Sequence, residues 1–285
     1  MALNPFSEEQ IIARLQFENP WWASGNLDSY YRALNPRLYF TLFYPLVKHS
    51  AVHRATVLMG PRRVGKTVML YHAIQQLIAD GVPAQKIMYA SVETPIYNNI
   101  PLHDLFNMAK KATGNTESDG WYIFFDEVQY LKDWEVHLKT LVDSFRQTKF
   151  IASGSAAAAL KLKSNESGAG RFTDFMLPPL TFFEFIHLKN LAALIKPDAI
   201  SWKGNISLFA IATNIAELNK HFIVYFSFGG YPEVIFNTEI QNNPGRFMRA
   251  DIIDKVLLRD LPGLYGIQDV QELNSLFTTI AWNSG

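Results

Sequence analysis

The 285-residue chain has no cysteine, which excludes disulfides and thiolate metal sites and fits a reducing compartment. It also lacks an excess of either charge. Lys and Arg number 26, and so do Asp and Glu, so no long-range field draws the chain toward nucleic acid or an anionic membrane. The longest uncharged apolar stretch, roughly Gly204 to Ala216, falls short of the ~20 residues a bilayer span needs. MALNPFSEEQ offers neither a basic n-region nor an apolar h-region, so no signal peptide is expected. These absences predict a soluble cytoplasmic protein with no membrane partner. With 48% apolar residues there is ample material for one large α/β domain or two modest ones.

Residues 7–17 read as a short amphipathic helix with Ser7 as N-cap, broken by NPWW. A second helical pattern, YYRALNPRLYFTLFYPLVKH, is rich in aromatics that dock this segment onto the core or form a partner surface. From Ala55 strands and helices alternate. ATVLM, KIMYASV, WYIFF, KFIAS and DFMLPPL read as strands, separated by helical stretches that begin at Val68, Pro101 and Trp134. This alternation predicts a parallel sheet with helices on both faces. After Leu180 the pattern turns helical. TFFEFIHLKNLAALI, residues 206–228 and FMRADIIDKVLLRDL (247–261) all read as helices, with GGYPEV as a turn between two of them. Nothing in the closing AWNSG suggests a folded terminal element. The expected organisation is an extension over 1–50, an α/β core over 51–182 and a helical region over 183–285.

GPRRVGKT, Gly60 to Thr67, fits the phosphate-loop pattern G-x-x-x-x-G-K-[ST] and stands directly between a buried strand and a helix. Gly60 and Gly65 permit backbone conformations closed to other residues, and the loop Pro61, Arg62, Arg63 and Val64 can aim N–H groups at phosphates. The helix N-terminus at Lys66, Thr67 and Val68 adds partial positive charge. Lys66 supplies a point charge for the β- and γ-phosphates, and the Thr67 hydroxyl a ligand for Mg²⁺. Loop geometry does not demand Arg62 or Arg63; they can serve phosphate, a neighbouring carboxylate or a partner subunit.

WYIFFDE, residues 121–127, delivers two carboxylates to the carboxyl edge of the sheet, where ligands of open α/β sheets bind. Asp126 is the expected Mg²⁺ ligand and Glu127 the general base that polarises the attacking water. The adjacent Asp-Glu pair indicates the additional-strand, catalytic-glutamate branch of P-loop NTPases rather than kinases or GTPases. No guanine-reading N-K-x-D is present, since Asn219-Lys220 is followed by His221-Phe222. KFIASGS brings Ser153, with Ser155 as the alternative, to a strand end where a hydroxyl can sense the γ-phosphate. The histidines are scattered along the chain, and no metal beyond Mg²⁺ is expected. Trp134 reads as a packing residue and Glu93 as a surface residue.

GPRRVGKT, FFDEVQYLKDW, ASGSAAAAL and GAGRFTDFMLPPLTFFEF, in that order, resemble the prokaryotic AAA-fold ATPases that carry a C-terminal domain of unknown function. The likeness covers roughly residues 30–270. It implies nucleotide roles for Lys66, Thr67, Asp126 and Glu127, and makes Arg171 a candidate arginine finger or sensor. ESGAGRF should then be mobile and lie at the nucleotide edge. The other reading of Arg171 is an anchor paired with a local carboxylate such as Asp174. The family usually continues past DKVLLRDLPGLYGIQDV into a winged-helix-like region, which implies a truncated or short form here.

Together these features predict a protein that binds ATP and Mg²⁺, hydrolyses ATP and couples hydrolysis to movement of its C-terminal region. The alternative is a nucleotide-gated switch with little turnover, acting on a protein or DNA partner. A protein partner and a homo-oligomer fit the resemblance, while nucleic acid is not expected for this chain.

Overall fold

The computed structural model describes residues 6–48, 53–155, 170–202, 205–228 and 230–283. Its centre is a five-stranded, all-parallel sheet in the order β2-β3-β4-β1-β5. The strands are β1 (Ala55–Gly60), β2 (Ile87–Ser91), β3 (Tyr122–Asp126), β4 (Lys149–Ser155) and β5 (Phe172–Met176). All five positions expected to be strands are strands. The apolar run of β1 is buried along its whole length, as expected where both faces of a sheet are covered. The loop-bearing β1 and the carboxylate-bearing β3 are not neighbours, because β4 stands between them and pairs with both. This inserted strand is the additional strand anticipated from the Asp-Glu pair.

Three crossover helices, α5 (Lys66–Ala79), α6 (Leu102–Thr113) and α7 (Trp134–Ser144), bury Leu70, Ile74, Phe106 and Leu138 completely. Four helices precede β1: α1 (Glu8–Glu18), α2 (Trp21–Ser24), α3 (Ser29–Ala33) and α4 (Phe40–Lys48). Ser7 caps α1 in a reciprocal capping box with Gln10. The long aromatic pattern divides into α3 and α4, because Pro36 disfavours helical backbone at the residue before it.

The aromatic segment has a specific task at the open side of β2. Ile87 O accepts the indole N–H groups of Trp21 (2.9 Å) and Trp22 (2.7 Å). The Asn19 amide brackets Tyr89, donating to its carbonyl at 2.8 Å and accepting its N–H at 2.6 Å. Ser91 N–H reaches Glu18 at 3.4 Å. These side chains satisfy backbone groups that would otherwise offer a template for another strand.

The chain divides into two compact units, Met1–Leu177 with Ile253–Gly285, and Pro178–Ile252. The expected grouping of 183–285 as one region is thereby revised: its last third belongs with the nucleotide-binding unit.

Within the second unit, Leu180, Phe185, Ile186 and Ile235 form a small core around the helices Phe182–Leu188 and Pro232–Phe236. The expected helices over 181–195 and 206–228 are partly overturned. An antiparallel hairpin joins β6 (Ile195–Trp202) to β7 (Asn205–Ala212), and the helix begins only at Ile215. In the first unit a helix also runs over Val270–Asn283, where no folded terminal element was expected. Among the described residues no helix is long and apolar enough to cross a membrane.

Candidate functional site

The carboxyl ends of β1, β4 and β3 meet the start of α5. Gly60 ends β1 under a hard steric constraint, since a Cβ there would lie 2.3 Å from the Leu177 carbonyl oxygen. The loop then turns through two left-handed residues, Arg63 (φ 64°) and Gly65 (φ 92°). Such a conformation costs a non-glycine residue energy and persists only where surroundings enforce it. Part of that enforcement comes from Arg37, whose Nη1 donates to Val64 O at 2.9 Å. Lys66 is buried with its ammonium among the loop carbonyls, 3.0 Å from Pro61 O and 3.2 Å from Gly60 O.

Asp126 is the hub of the site. It is almost fully buried at the end of β3. Thr67 Oγ1 donates to its Oδ2 at 2.7 Å, and Tyr89 Oη donates to the same oxygen at 2.8 Å. The Ser153 hydroxyl and the Glu127 backbone N–H donate to its Oδ1, the latter at 3.1 Å. A hydroxyl and a hard carboxylate at this separation are the donor chemistry Mg²⁺ prefers. The additional strand explains Ser153: β4 places it between the phosphate loop and Asp126, whereas Ser155 contributes its backbone N–H to Gln129 at 3.2 Å.

Glu127 takes a left-handed backbone (φ 56°, ψ 47°), which turns the chain sharply off the strand. Its carboxylate accepts a short hydrogen bond from the Gln129 amide. Burial pushes the Glu127 carboxyl above its ordinary range, and Asp126 pushes the same way. Lys66, Gln129 and Arg62 oppose the shift. A carboxylate with raised proton affinity beside a fixed cation suits a general base.

Lys66, Thr67, Asp126, Glu127 and Ser153 therefore share one place. Arg171 does not join them. It directly precedes β5, and its carbonyl accepts from Ala55 N–H at the first residue of β1. This is the amino end of the sheet, opposite the loop, because the strands are parallel. The expectation that Arg171 lies at the nucleotide edge is corrected for action within one chain. Its partner is Asp143 on α7 at 2.8 Å, not Asp174. Of the stretch expected to be mobile, ESGAGRF (166–172), residues 166–169 lie outside the described residues.

Tyr89, Gln129, Arg37 and Asp260 were not singled out from the sequence. Trp134 packs as expected, stacked on Phe172 at 6.3 Å. A cleft of about 670 Å³ is lined by residues such as Glu8 of α1 and Asn107 and Lys111 of α6 and holds none of the motif residues.

The fold and this constellation define a P-loop NTPase of the additional-strand type. Residues 52–186 match the family described as AAA domain, and the fold of this region is of the AAA type. An uncharacterized protein of Haemophilus influenzae is 24% identical over 229 residues, covering 80% of this chain and 51% of that protein. An uncharacterized protein of Methanocaldococcus jannaschii is 26% identical over 226 residues, covering 79% of this chain and 45% of that protein. The chain thus spans about half the length of the curated relatives it matches. Among solved structures, the Aeropyrum pernix ORC1 protein in complex with DNA is similar with a TM-score of 0.42 and 12% identity, over 61% of this chain and 52% of that one.

Proposed function

We propose that the protein binds ATP with Mg²⁺ and hydrolyses it, coupling the cycle to its C-terminal region. The observation that carries this reading is Asp126, buried beside the phosphate loop and held by Thr67, Tyr89 and Ser153. The loop N–H groups and Lys66 would hold the phosphates, and Thr67 and Asp126 the metal. Mg²⁺ supplies charge neutralisation on the phosphate oxygens. Glu127 takes the proton of the attacking water, and Gln129 fixes the position of its carboxylate. Ser153 orients Asp126 and stands where a γ-phosphate sensor is needed. Loop residues Pro61 to Val64, with Val68 behind them, complete the cradle.

The test uses two variants. Glu127→Gln keeps the shape but cannot take a proton, so ATP should bind while turnover falls about 10²-fold or more. Lys66→Ala should lose ATP binding. Normal turnover in the first variant, or unchanged affinity in the second, would refute the corresponding role.

A nucleotide-gated switch with little turnover is the second reading. The Gln129 hold on Glu127 favours it, because a tethered base is poorly placed to accept a proton. Gln129→Ala separates the two. Faster turnover supports the switch, and slower turnover supports Gln129 as an orienting residue.

A further inference from the structure

Arg62, inside the phosphate loop, is joined to a residue 198 positions later in the chain. Its Nε donates to Asp260 Oδ2 at 2.8 Å and its Nη2 to Asp260 Oδ1 at 2.5 Å. This is the two-pronged geometry that gives guanidinium–carboxylate pairs both strength and direction. Nη2 also donates to the Tyr130 hydroxyl at 2.8 Å. The two charged side chains are only 12% and 3% exposed, so the pair is shielded from water and salt.

Each partner is anchored to something that matters. Tyr130 closes the tight turn that begins at Glu127, its N–H bonding the Glu127 carbonyl at 3.2 Å. The Arg62 charge also acts directly on the Glu127 carboxylate. Asp260 ends a widened helical turn, Val256–Asp260, in which the Leu261 N–H bonds the Val256 carbonyl. Pro262 has no N–H to donate to the turn before it, which accounts for the widening. Leu257 is buried alongside. Asp260 and Tyr130 occupy the Nε and Nη2 donors, which leaves the two N–H groups of Nη1 to turn toward another anion.

We propose that Asp260 is a positioning residue for the nucleotide site, acting through Arg62 to fix the phosphate loop and to tie the helical segment 256–265 to nucleotide occupancy. This rests on the ATP-binding reading above. A pair that helps shape the loop for phosphate must itself be strengthened when phosphate binds, since coupling between two sites is reciprocal. The sign is therefore fixed: ATP tightens the segment. A competition between ATP and Asp260 for Arg62 would give the opposite sign.

The experiment measures Mg-ATP affinity and amide hydrogen exchange of residues 256–265, with and without Mg-ATP, on the full chain. In the wild type, ATP should slow exchange in that segment. Asp260→Asn should weaken ATP binding about tenfold, within the usual range of coupling factors, and abolish the slowing. Asp260→Glu, which keeps the charge, should recover part of both. Arg62→Gln with Asp260→Asn leaves no unpaired buried charge, so it should stay folded even if the single variant does not, and should still lack the slowing. Wild-type affinity in folded Asp260→Asn or in the double variant, or faster exchange with ATP in the wild type, would overturn the proposal alone. Failure of the wild type to bind ATP, like Lys66→Ala, would overturn the ATP-binding reading and this one with it.

Discussion

At the carboxyl end of the sheet, Asp126 is almost fully buried and takes side-chain hydrogen bonds from Thr67, Tyr89 and Ser153. At the amino end, Arg171 and Asp143 meet across open surface, each side chain 44% exposed. The carboxyl end also holds two left-handed non-glycine residues, Arg63 and Glu127, and a buried lysine. The amino end holds Lys149, whose stem is covered while its ammonium donates to the Arg54 carbonyl at 3.0 Å. Both ends are built from the same five strands, so strand chemistry alone does not explain the contrast. Costly backbone and buried charge are gathered where a phosphate would lie, and the opposite end carries ordinary surface pairing. That asymmetry is the expected mark of a functional edge.

Replacing the hub of the carboxyl end should have the largest effect. Asp126→Ala removes the acceptor shared by three hydroxyls and leaves them buried without it. Unfolding free energy should fall by about 3 kcal/mol or more, and ATP binding should lose its dependence on Mg²⁺. Urea denaturation and a Mg²⁺ titration read the two parts. A variant as stable as the wild type would show that the buried network is not a structural centre.

A smaller effect belongs to Lys149 at the amino end. Burial lowers its proton affinity from the ordinary 10.5 to about 8. Below pH 8 the group is charged in both folded and unfolded chains and adds no pH dependence. Between the two values the unfolded chain binds more protons, so stability rises with pH. The gain should be about 1 to 2 kcal/mol between pH 8 and pH 10, after allowance for solvent screening. Lys149→Met should flatten that rise in denaturation curves across this window. An equal rise in both proteins would assign it to other groups.

Arg171→Ala should have the smallest effect. An exposed pair contributes roughly 0 to 1 kcal/mol, and turnover should not change if the residue only braces α7. A hundredfold loss of turnover, restored on mixing with Glu127→Gln, would instead show a finger acting between copies of the chain. It would also show that the amino end is not the inert end.

The residues that the sequence disclosed best are those whose roles are local. GPRRVGKT carries its function in eight consecutive positions, and FFDE places both carboxylates by the simple arithmetic of a strand end. Even the inserted strand could be anticipated, because an adjacent Asp-Glu pair marks that topology. What escaped depends on distance along the chain. Asp260 meets Arg62 across 198 residues, and Asn19 meets Tyr89 across 70. Neither residue type in its local setting announces such a partner. The hairpin β6–β7 escaped for a different reason. Its apolar run suits a helix or a strand, and the two residues that separate the strands, Lys203-Gly204 in the sequence, are the turn signal that should have weighed more. Arg171 was misplaced because the stretch before it was assumed to stay at the edge where β4 ends. In a parallel sheet the chain must instead return to the opposite edge before the next strand can begin.

The clasp of Asn19, Trp21 and Trp22 on β2 also sets an order of events in time. This segment leaves the ribosome before its acceptors at Ile87 and Tyr89, which follow some seventy residues later. β2 in turn pairs only with β3, and β3 reaches β1 only through β4, whose last residue is Ser155. At synthesis rates of about 5 to 20 residues per second, the opening of the chain waits for several seconds, at least, before its docking surface exists. The segment thus docks only after the strands from β2 to β4 have been made, and the fluorescence of Trp21 and Trp22 would follow that docking.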